Sequence, residues 1–304
     1  MNYVIMGSGG TGGCIGAFLQ KARHDVTFIA RGAHLAAMQQ HGLTVYSGKI
    51  GDFSLPTVQA CTDEQYAGRP DVIFVCVKHY SLQDAIDFCH SHARPDTVVI
   101  PILNVYGTGD QIQAQLPNLR ILSGCIYIFG MVQKPGVLLQ KDDNFRVVFG
   151  DRDHHTGDPI LEQIRVDLEE SGIDALYSSN IQRDTMKKFS TLSPYACTGS
   201  FYDISAGAMQ VPGEPRNTYL SMVKEILSLS QAMGIVFDED MYTKNRDFLD
   251  SFLPDSTSSL HRDIRKGGQS ELDGLLFQPV RWGRQYHVPM PTYERLAQHF
   301  GFTL

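Results

Sequence analysis

The chain has 304 residues, of which 42% are hydrophobic and 19% charged, and these proportions are typical of an ordinary globular protein. Its length suits one large domain or two of medium size, and we expect two. A formal net charge of -7 argues against nucleic-acid binding, because a nucleic-acid-binding face needs an excess of cations to displace counterions from phosphates. Any anionic ligand must therefore be held by a local cluster of cations.

Composition also bears on compartment and on metals. No apolar run approaches the roughly 18 residues needed to span a bilayer, and Met1 leads directly into a strand pattern without the regions of a secretory signal. The 6 cysteines are scattered without a CxxC pair, as is typical of reduced structural thiols, and the 11 histidines show no spacing typical of metal ligands. We therefore expect a cytoplasmic protein without a metal or a membrane partner.

The first part of the chain alternates short apolar runs with amphipathic ones, which predicts a parallel sheet with crossover helices. Two almost wholly apolar runs, Asp71–Val77 and Thr97–Leu103, predict strands covered on both faces, with a helix at Ser81–His92 between them. The alternating runs before them are Tyr3–Met6, Gly10–Ala22, Asp25–Ala30 and Ala33–His41.

The remaining elements differ in pattern. Leu43–Cys61 and Ile121–Gly150 alternate with a period of two between turn residues and predict antiparallel strands or hairpins. A helix over Pro159–Ser171 and a strand over Asp174–Tyr177 follow. From about Asn180 the pattern is helical, with helices predicted over Tyr219–Met233, Ser258–Gly267, Leu272–His287 and Thr292–Phe300.

Residues 7–12 read GSGGTG, a GxGxxG pattern formed by Gly7, Gly9 and Gly12 between a strand pattern and a helix pattern. Glycines allow a tight turn and a close approach of the backbone to a pyrophosphate, and free N–H groups at the helix start bind its oxygens. With Ser8, Gly10 and Thr11, these residues form a predicted dinucleotide site. The predicted fold is α/β, with an N-terminal Rossmann-type domain over residues 1–179 and a mostly α-helical domain over residues 180–304.

Arg31 stands near the end of the second strand, where an NAD-specific site places an acid that binds the ribose 2'-hydroxyl. A guanidinium at this point favours a 2'-phosphate, with which it forms charge-assisted hydrogen bonds. Lys78 follows the fourth strand pattern and lies near the same edge of the predicted sheet. The two cations favour NADP(H) over NAD; a solvated surface arginine is the alternative interpretation of Arg31.

With the glycine loop and Arg31, four further features give the chain a resemblance to the ketopantoate reductase (2-dehydropantoate 2-reductase) family over nearly its whole length. They are Lys78 in VCVK, Asn104 in PILNVYG, Lys188 in MKKFS, and the block SSLHRDIRKGGQSELD. The resemblance implies a Rossmann domain and a helical domain with NADPH and a small ketoacid between them, and reduction of 2-dehydropantoate to pantoate in pantothenate biosynthesis. It matches Arg31 and Lys78 to the pair that binds the 2'-phosphate. We expect a homodimer.

The resemblance also implies roles for four residues. Lys188 matches the catalytic lysine that donates a proton to the developing alkoxide and contacts substrate, which suits an ammonium near a ketone oxygen. Asn104 matches an asparagine that contacts the nicotinamide end and the substrate, Ser259 a residue that contacts the substrate carboxylate, and Glu271 an acid near the cofactor ribose and the lysine. Plainer interpretations are a solvated lysine doublet, a turn asparagine and two exposed helix residues.

The sequence departs from the family pattern on the helix that carries Lys188. Four and eight residues later, where the family commonly has asparagines, this chain has Leu192 and Ala196. Ser190, Ser193 or Tyr195 could replace the missing hydrogen-bond partners. Reduction of a different ketoacid or carbonyl compound therefore stays open, as does a non-catalytic NADP-binding regulator.

Overall fold

The computed structural model describes residues 1–303, and the contacts among them divide the chain into two compact units. The first, here called the sheet unit, comprises residues 1–103 and 107–181. The second, the helical unit, comprises residues 104–106 and the residues from Gln182 onward. Residues 104–106 are therefore embedded in the helical unit, although the chain on both sides of them belongs to the sheet unit.

The sheet unit contains strands and helices in alternation. Its strands are β1 (Asn2–Met6), β2 (Asp25–Ile29), β3 (Leu43–Ser47), β4 (Phe53–Leu55), β5 (Gln59–Cys61), β6 (Val72–Val75), β7 (Val98–Pro101), β8 (Arg120–Ile121), β9 (Ser123–Lys134), β10 (Val137–Gly150) and β11 (Asp174–Tyr177). Its helices are α1 (Gly10–Lys21), α2 (Gly32–His41), a 3-10 turn (His79–Ser81), α3 (Leu82–His92), α4 (Thr108–Gln115) and α5 (Pro159–Glu170).

Six of these strands form a parallel sheet in the order β5-β2-β1-β6-β7-β8. Every residue of β6 and β7 is buried, as expected for apolar strands covered on both faces. Helices α1, α2 and α3 occupy connections between the strands, so the alternating pattern of the sequence corresponds to crossover units. The predicted α/β class with a Rossmann-type N-terminal domain is confirmed.

A second sheet has the order β11-β10-β3-β4, with β9 paired to β10. The pairs β9–β10 and β3–β4 are antiparallel, as predicted for residues 121–150 and for much of 43–61. The prediction is wrong for β5 and for Ile121 of β8, because residues 59–61 pair in parallel with residues 27–29 of β2, and Ile121 pairs in parallel with Val99 of β7, so both extend the first sheet. Strands β3 and β10 also pair in parallel with each other. A strand of three residues has too short a pattern to reveal its direction, which its distant partner sets.

The helical unit confirms the predicted mostly α-helical C-terminal domain. Its elements are α6 (Ile181–Tyr202, whose first residue belongs to the sheet unit), α7 (Ala206–Gln210), α8 (Glu214–Ala232), α9 (Met241–Asp250), α10 (Ser259–Arg265), a π-helical turn (Asp273–Phe277), α11 (Gln278–Gln285) and α12 (Pro291–His299). The continuous α-helix predicted over Leu272–His287 thus contains a π-helical turn. Across residues 1–303, no helix combines the length and apolar character that a membrane crossing requires.

Helix α1 packs closely on β1 and β2 because Gly16 has no side chain. A methyl group at Gly16 would lie 2.4 Å from the ring of Phe28 and 2.8 Å from the side chain of Ile5. Both of these side chains are fully buried, so neither can move away without disturbing the core. The glycine therefore fixes the distance between the helix and the sheet.

Replacing Gly16 by alanine should lower the free energy of unfolding by about 1–3 kcal/mol, because it overpacks this contact. Urea denaturation followed by circular dichroism measures the change. Gly9→Ala is the matched control, since Gly9 has a φ of -70° and no described atom lies within 4 Å of the added methyl group. Equal stability of Gly16→Ala and the native protein would contradict the packing argument.

Candidate functional site

The glycine loop connects β1 to α1, and each of its three pattern glycines has a different environment. Gly7 has a φ of +97°, which favours glycine. A methyl group at Gly12 would lie 2.3 Å from the carbonyl oxygen of Gly7, so the turn closes only with glycine at position 12. At Gly9 the space is open, so this part of the loop can approach a ligand closely.

The start of α1 is suited to an anion. No side chain among residues 1–303 caps the N-terminus of this helix at Gly9, which leaves backbone N–H groups of its first turn available. The Ser8 hydroxyl instead donates to the carbonyl oxygen of Ile29 at the end of β2, at 3.0 Å. This hydrogen bond connects the loop to β2 and leaves the backbone N–H groups at the start of α1 free to bind a phosphate.

Arg31 and Lys78 both follow strands that flank β1. Arg31 precedes α2, and its side chain is 82% exposed, with Nη1 at 3.9 Å from Oδ2 of Asp84. Lys78 immediately precedes the 3-10 turn that leads into α3, and Asp84 lies in the first turn of α3. Both cations therefore lie at the carboxyl edge of the parallel sheet, where the glycine loop also lies and where open α/β sheets bind ligands.

Lys188 and Asn104 meet directly within the helical unit. Nζ of Lys188, on α6, donates a hydrogen bond of 2.9 Å to Oδ1 of Asn104. The neighbouring Lys187 points elsewhere and forms an ion pair of 2.8 Å with Glu239. The lysine doublet is therefore not a uniform solvated face, and the two ammonium groups have different partners.

Asn104 is positioned by the two residues that follow it. Val105 packs against the π-helical turn so closely that a methyl group at Gly274 would lie 2.4 Å from its side chain. The ring of Tyr106 contacts Phe189 and Trp282, with centroid distances of 6.1 and 5.8 Å. These contacts hold the segment against α6 and the π-helical turn, and therefore place the Asn104 amide beside Lys188.

The other two predicted residues also lie in the helical unit. Ser259 is the first residue of α10 and is half-buried, while Ser258 caps the helix by accepting a 3.1 Å hydrogen bond from the N–H of His261. Glu271 is only 3% exposed, and its carbonyl oxygen accepts a hydrogen bond from the N–H of Leu275, a residue of the π-helical turn. Such π-helical turns occur often at functional sites.

Sequence reasoning missed a proline on α6 and its partner on α9. Pro194 has no N–H to donate to the carbonyl of Ser190 one turn earlier. Asn245 of α9 supplies the donor, since its Nδ2 lies 3.3 Å from that carbonyl oxygen and 3.0 Å from the Ser190 hydroxyl. Pro194 in a helical pattern was the available signal, but its partner is 51 positions away in the sequence.

The thiols and the metal-capable groups lie apart from these residues. Burial raises the pKa of Cys14 and of Cys89 to about 12, so both thiols are protonated and unreactive at neutral pH. No cysteine among residues 1–303 forms a disulfide bond. Among the described residues, one group could offer three metal ligands, and it consists of the mostly exposed Asp151, Asp153 and His155.

Comparison with protein families identifies the chain. The model described as "Ketopantoate reductase PanE/ApbA" matches residues 3–154, and the model described as "Ketopantoate reductase PanE/ApbA C terminal" matches residues 180–302. The chain belongs to the ketopantoate reductase family. The predicted resemblance is confirmed, and the chain is an oxidoreductase of the ketopantoate reductase type.

Curated relatives align along nearly the whole chain. YkpB, an uncharacterised oxidoreductase of Bacillus subtilis, is 27% identical over 298 residues, which cover 97% of this chain and 96% of that protein. The 2-dehydropantoate 2-reductase of Aquifex aeolicus is 21% identical over 302 residues, which cover 98% and 95% of the two chains.

Solved structures share the fold. A 2-dehydropantoate 2-reductase from Methylococcus capsulatus has a TM-score of 0.88 at 21% identity, with 99% of this chain and 96% of that one covered. A D-mandelate dehydrogenase in a ternary structure with NADH and anilino(oxo)acetate has a TM-score of 0.87 at 20% identity, with 98% and 96% covered. A dimeric ketopantoate reductase from Staphylococcus aureus has a TM-score of 0.83 at 20% identity, with 98% and 97% covered.

The replacement of the missing Pro194 hydrogen bond by Asn245 can be tested by mutation. Asn245→Ala removes the donor to the Ser190 carbonyl in a buried environment and should cost about 1–3 kcal/mol of stability. In a Pro194→Ala background the restored N–H at position 194 can bond to that carbonyl, so the same change should cost less. Urea denaturation of the four proteins gives this double-mutant cycle. The same cost in both backgrounds would refute the pairing.

Proposed function

We propose that the chain reduces a 2-ketoacid with NADPH, and that the substrate is 2-dehydropantoate, with pantoate as the product. The observation that carries this proposal is the hydrogen bond between Lys188 and Asn104, which holds an ammonium group at a defined place. Membership of the family and the 2-dehydropantoate 2-reductases among the relatives support it. We propose that this reaction is a step of pantothenate biosynthesis.

The residues of the sheet unit fit a dinucleotide. The open space at Gly9 and the uncapped N-terminus of α1 would accept a pyrophosphate, with residues 7–12 around it. Arg31 and Lys78 would bind the 2'-phosphate of NADPH. We accordingly propose that residues 1–179 bind the cofactor and that residues 180–304, joined by Asn104, supply the groups that act on the substrate.

The chemistry requires one hydride and one proton. When bound, the reduced nicotinamide supplies the hydride, which forms a C–H bond at C2 of the ketoacid. As the carbonyl π bond breaks, negative charge grows on oxygen, and the Lys188 ammonium stabilises that charge and donates the proton. The neutral lysine then regains a proton from water, so atoms and electrons balance.

The remaining polar residues would orient the reactants. Asn104 holds Lys188 through Oδ1, and its proposed contact with the nicotinamide end and the substrate would align the ammonium with the ketone. Ser259 would bind the substrate carboxylate. Glu271, buried beside the π-helical segment, would lie near the cofactor ribose and the lysine.

A second candidate is the reduction of a different 2-ketoacid. Leu192 lies one helical turn after Lys188, and its side chain offers no hydrogen bond to a ligand hydroxyl. The D-mandelate dehydrogenase neighbour shows that this fold is also found in a protein named for another hydroxyacid. For the assembly we propose a homodimer, supported by the dimeric Staphylococcus aureus neighbour.

Lys188→Ala should lower kcat by about 100-fold or more, because it removes the proton donor, and should leave the dissociation constant for NADPH nearly unchanged. NADPH oxidation followed by absorbance gives kcat, and fluorescence titration gives the dissociation constant. Lys187→Ala is the matched control: it removes the same charge one residue away and should retain native turnover. Native turnover in Lys188→Ala would refute the assigned role.

Arg31→Ala should weaken NADPH binding by about tenfold, through loss of charge-assisted hydrogen bonds to the 2'-phosphate, and should change NADH binding little. The control Lys21→Ala removes one positive charge at the C-terminal end of α1, away from the glycine loop, and should affect the binding of neither cofactor. Titration of both cofactors against the three proteins measures these constants. Tighter binding of NADH than of NADPH to the native protein would contradict the proposed cofactor.

A further inference from the structure

An ion pair crosses the carboxyl edge of the parallel sheet. Arg31 follows β2, and Asp84 lies in the first turn of α3, the helix that follows β6. Strands β2 and β6 are the two neighbours of β1, which leads into the glycine loop. The contact of 3.9 Å between Nη1 of Arg31 and Oδ2 of Asp84 therefore joins the segments on the two sides of β1, where open α/β sheets bind dinucleotides.

The pair is loose and open to solvent. The side chains of Arg31 and Asp84 are 82% and 52% exposed, and the distance between the two atoms is longer than a hydrogen bond. Among residues 1–303 neither side chain forms a hydrogen bond, so the N–H donors of the guanidinium remain available to a ligand. Exposed ion pairs of this kind contribute little to stability. The fold therefore gains little from the pair, whereas any anion that approaches Arg31 meets the charge of Asp84.

Asp84 changes the charge at the place proposed for the 2'-phosphate of NADPH. Arg31 and Lys78 each contribute one positive charge at this edge of the sheet, and Asp84 offsets one of them. A phosphate oxygen that accepts a hydrogen bond from the Arg31 guanidinium approaches the same group that Asp84 already pairs with, so the two anions also repel each other. The carboxylate and the phosphate therefore compete for one cation.

We propose that Asp84 is a specificity-determining residue, which competes with the 2'-phosphate of NADPH for Arg31 and thereby limits the preference for NADPH over NADH. This inference rests on the proposed binding of the 2'-phosphate by Arg31 and adds an opposing group to it. NADH has a neutral hydroxyl at the 2' position, so the charge of Asp84 lowers only the affinity for NADPH. The phosphate still displaces the carboxylate, because it has the greater charge and can accept two hydrogen bonds from the guanidinium.

The test removes the charge of Asp84 and keeps its shape. Asp84→Asn should tighten the binding of NADPH by about three- to fivefold at low ionic strength, the modest gain expected when an exposed ion pair no longer competes. The dissociation constant for NADH should change by less than about twofold, because NADH has no 2'-phosphate to compete with the carboxylate. Fluorescence titration with both cofactors gives these constants, and thermal unfolding verifies that the variant is folded.

Asp87→Asn is the matched control. It removes the same charge from the same helix, at a residue whose carboxylate accepts a hydrogen bond of 2.9 Å from Gln83 and forms no ion pair with Arg31. Both dissociation constants should stay nearly native in this variant.

Salt and a second substitution assign the gain to its cause. At about 1 M salt the Debye length falls to about 3 Å, so the ratio of the NADPH affinities of Asp84→Asn and the native protein should approach one. In an Arg31→Ala background the cation for which the two anions compete is absent. Asp84→Asn should therefore tighten NADPH binding much less in that background than in the native protein.

The outcomes separate this inference from the function on which it rests. Weaker or unchanged NADPH binding in Asp84→Asn would overturn the inference and leave the proposed cofactor in place. An equal gain in the native and Arg31→Ala backgrounds would do the same, because Asp84 would then act without Arg31. Unchanged NADPH binding in Arg31→Ala alone would instead contradict the proposed binding of the 2'-phosphate, and the inference with it.

Discussion

The hydrogen bond from Nζ of Lys188 to Oδ1 of Asn104 is the interaction on which the proposed site depends. A lysine side chain has a flexible stem and a compact charge, so it acts at a defined point only when a partner restricts it. Asn104 provides that restriction because residues 104–106 are embedded in the helical unit. Val105 meets Gly274 and Tyr106 meets two aromatic rings, so packing of apolar groups determines the position of a polar one.

One missing backbone hydrogen bond in helix α6 is replaced by a side chain from another helix. Pro194 removes a backbone hydrogen bond six residues after Lys188, and Asn245 replaces it from another helix. The repair also engages the hydroxyls of Ser190 and Thr191. The helix therefore gains a fixed geometry, for which both ends of the Asn245 amide are used.

Much of the fold was predictable because its signals are local. Apolar runs of the central strands and the glycines after β1 show in a few consecutive residues, and the motifs around Lys188 and Asn104 selected two residues that the structure brings together. The direction of β5, the π-helical turn at Asp273–Phe277 and the repair of Pro194 by Asn245 were not predictable. The direction of β5 and the repair of Pro194 depend on residues distant in the sequence, on which local patterns carry no information. The pattern of residues 272–287 does not distinguish a π-helical turn from a continuous α-helix.

The most direct test of the central claim is a double-mutant cycle on kcat/KM with Lys188→Ala and Asn104→Ala. If Asn104 acts mainly by holding Lys188, and less through its own contacts with the reactants, its removal should lower kcat/KM much less in the Lys188→Ala background than in the native protein. If the two losses multiply instead, Asn104 acts independently of the lysine, and the hydrogen bond between them is not the basis of the site.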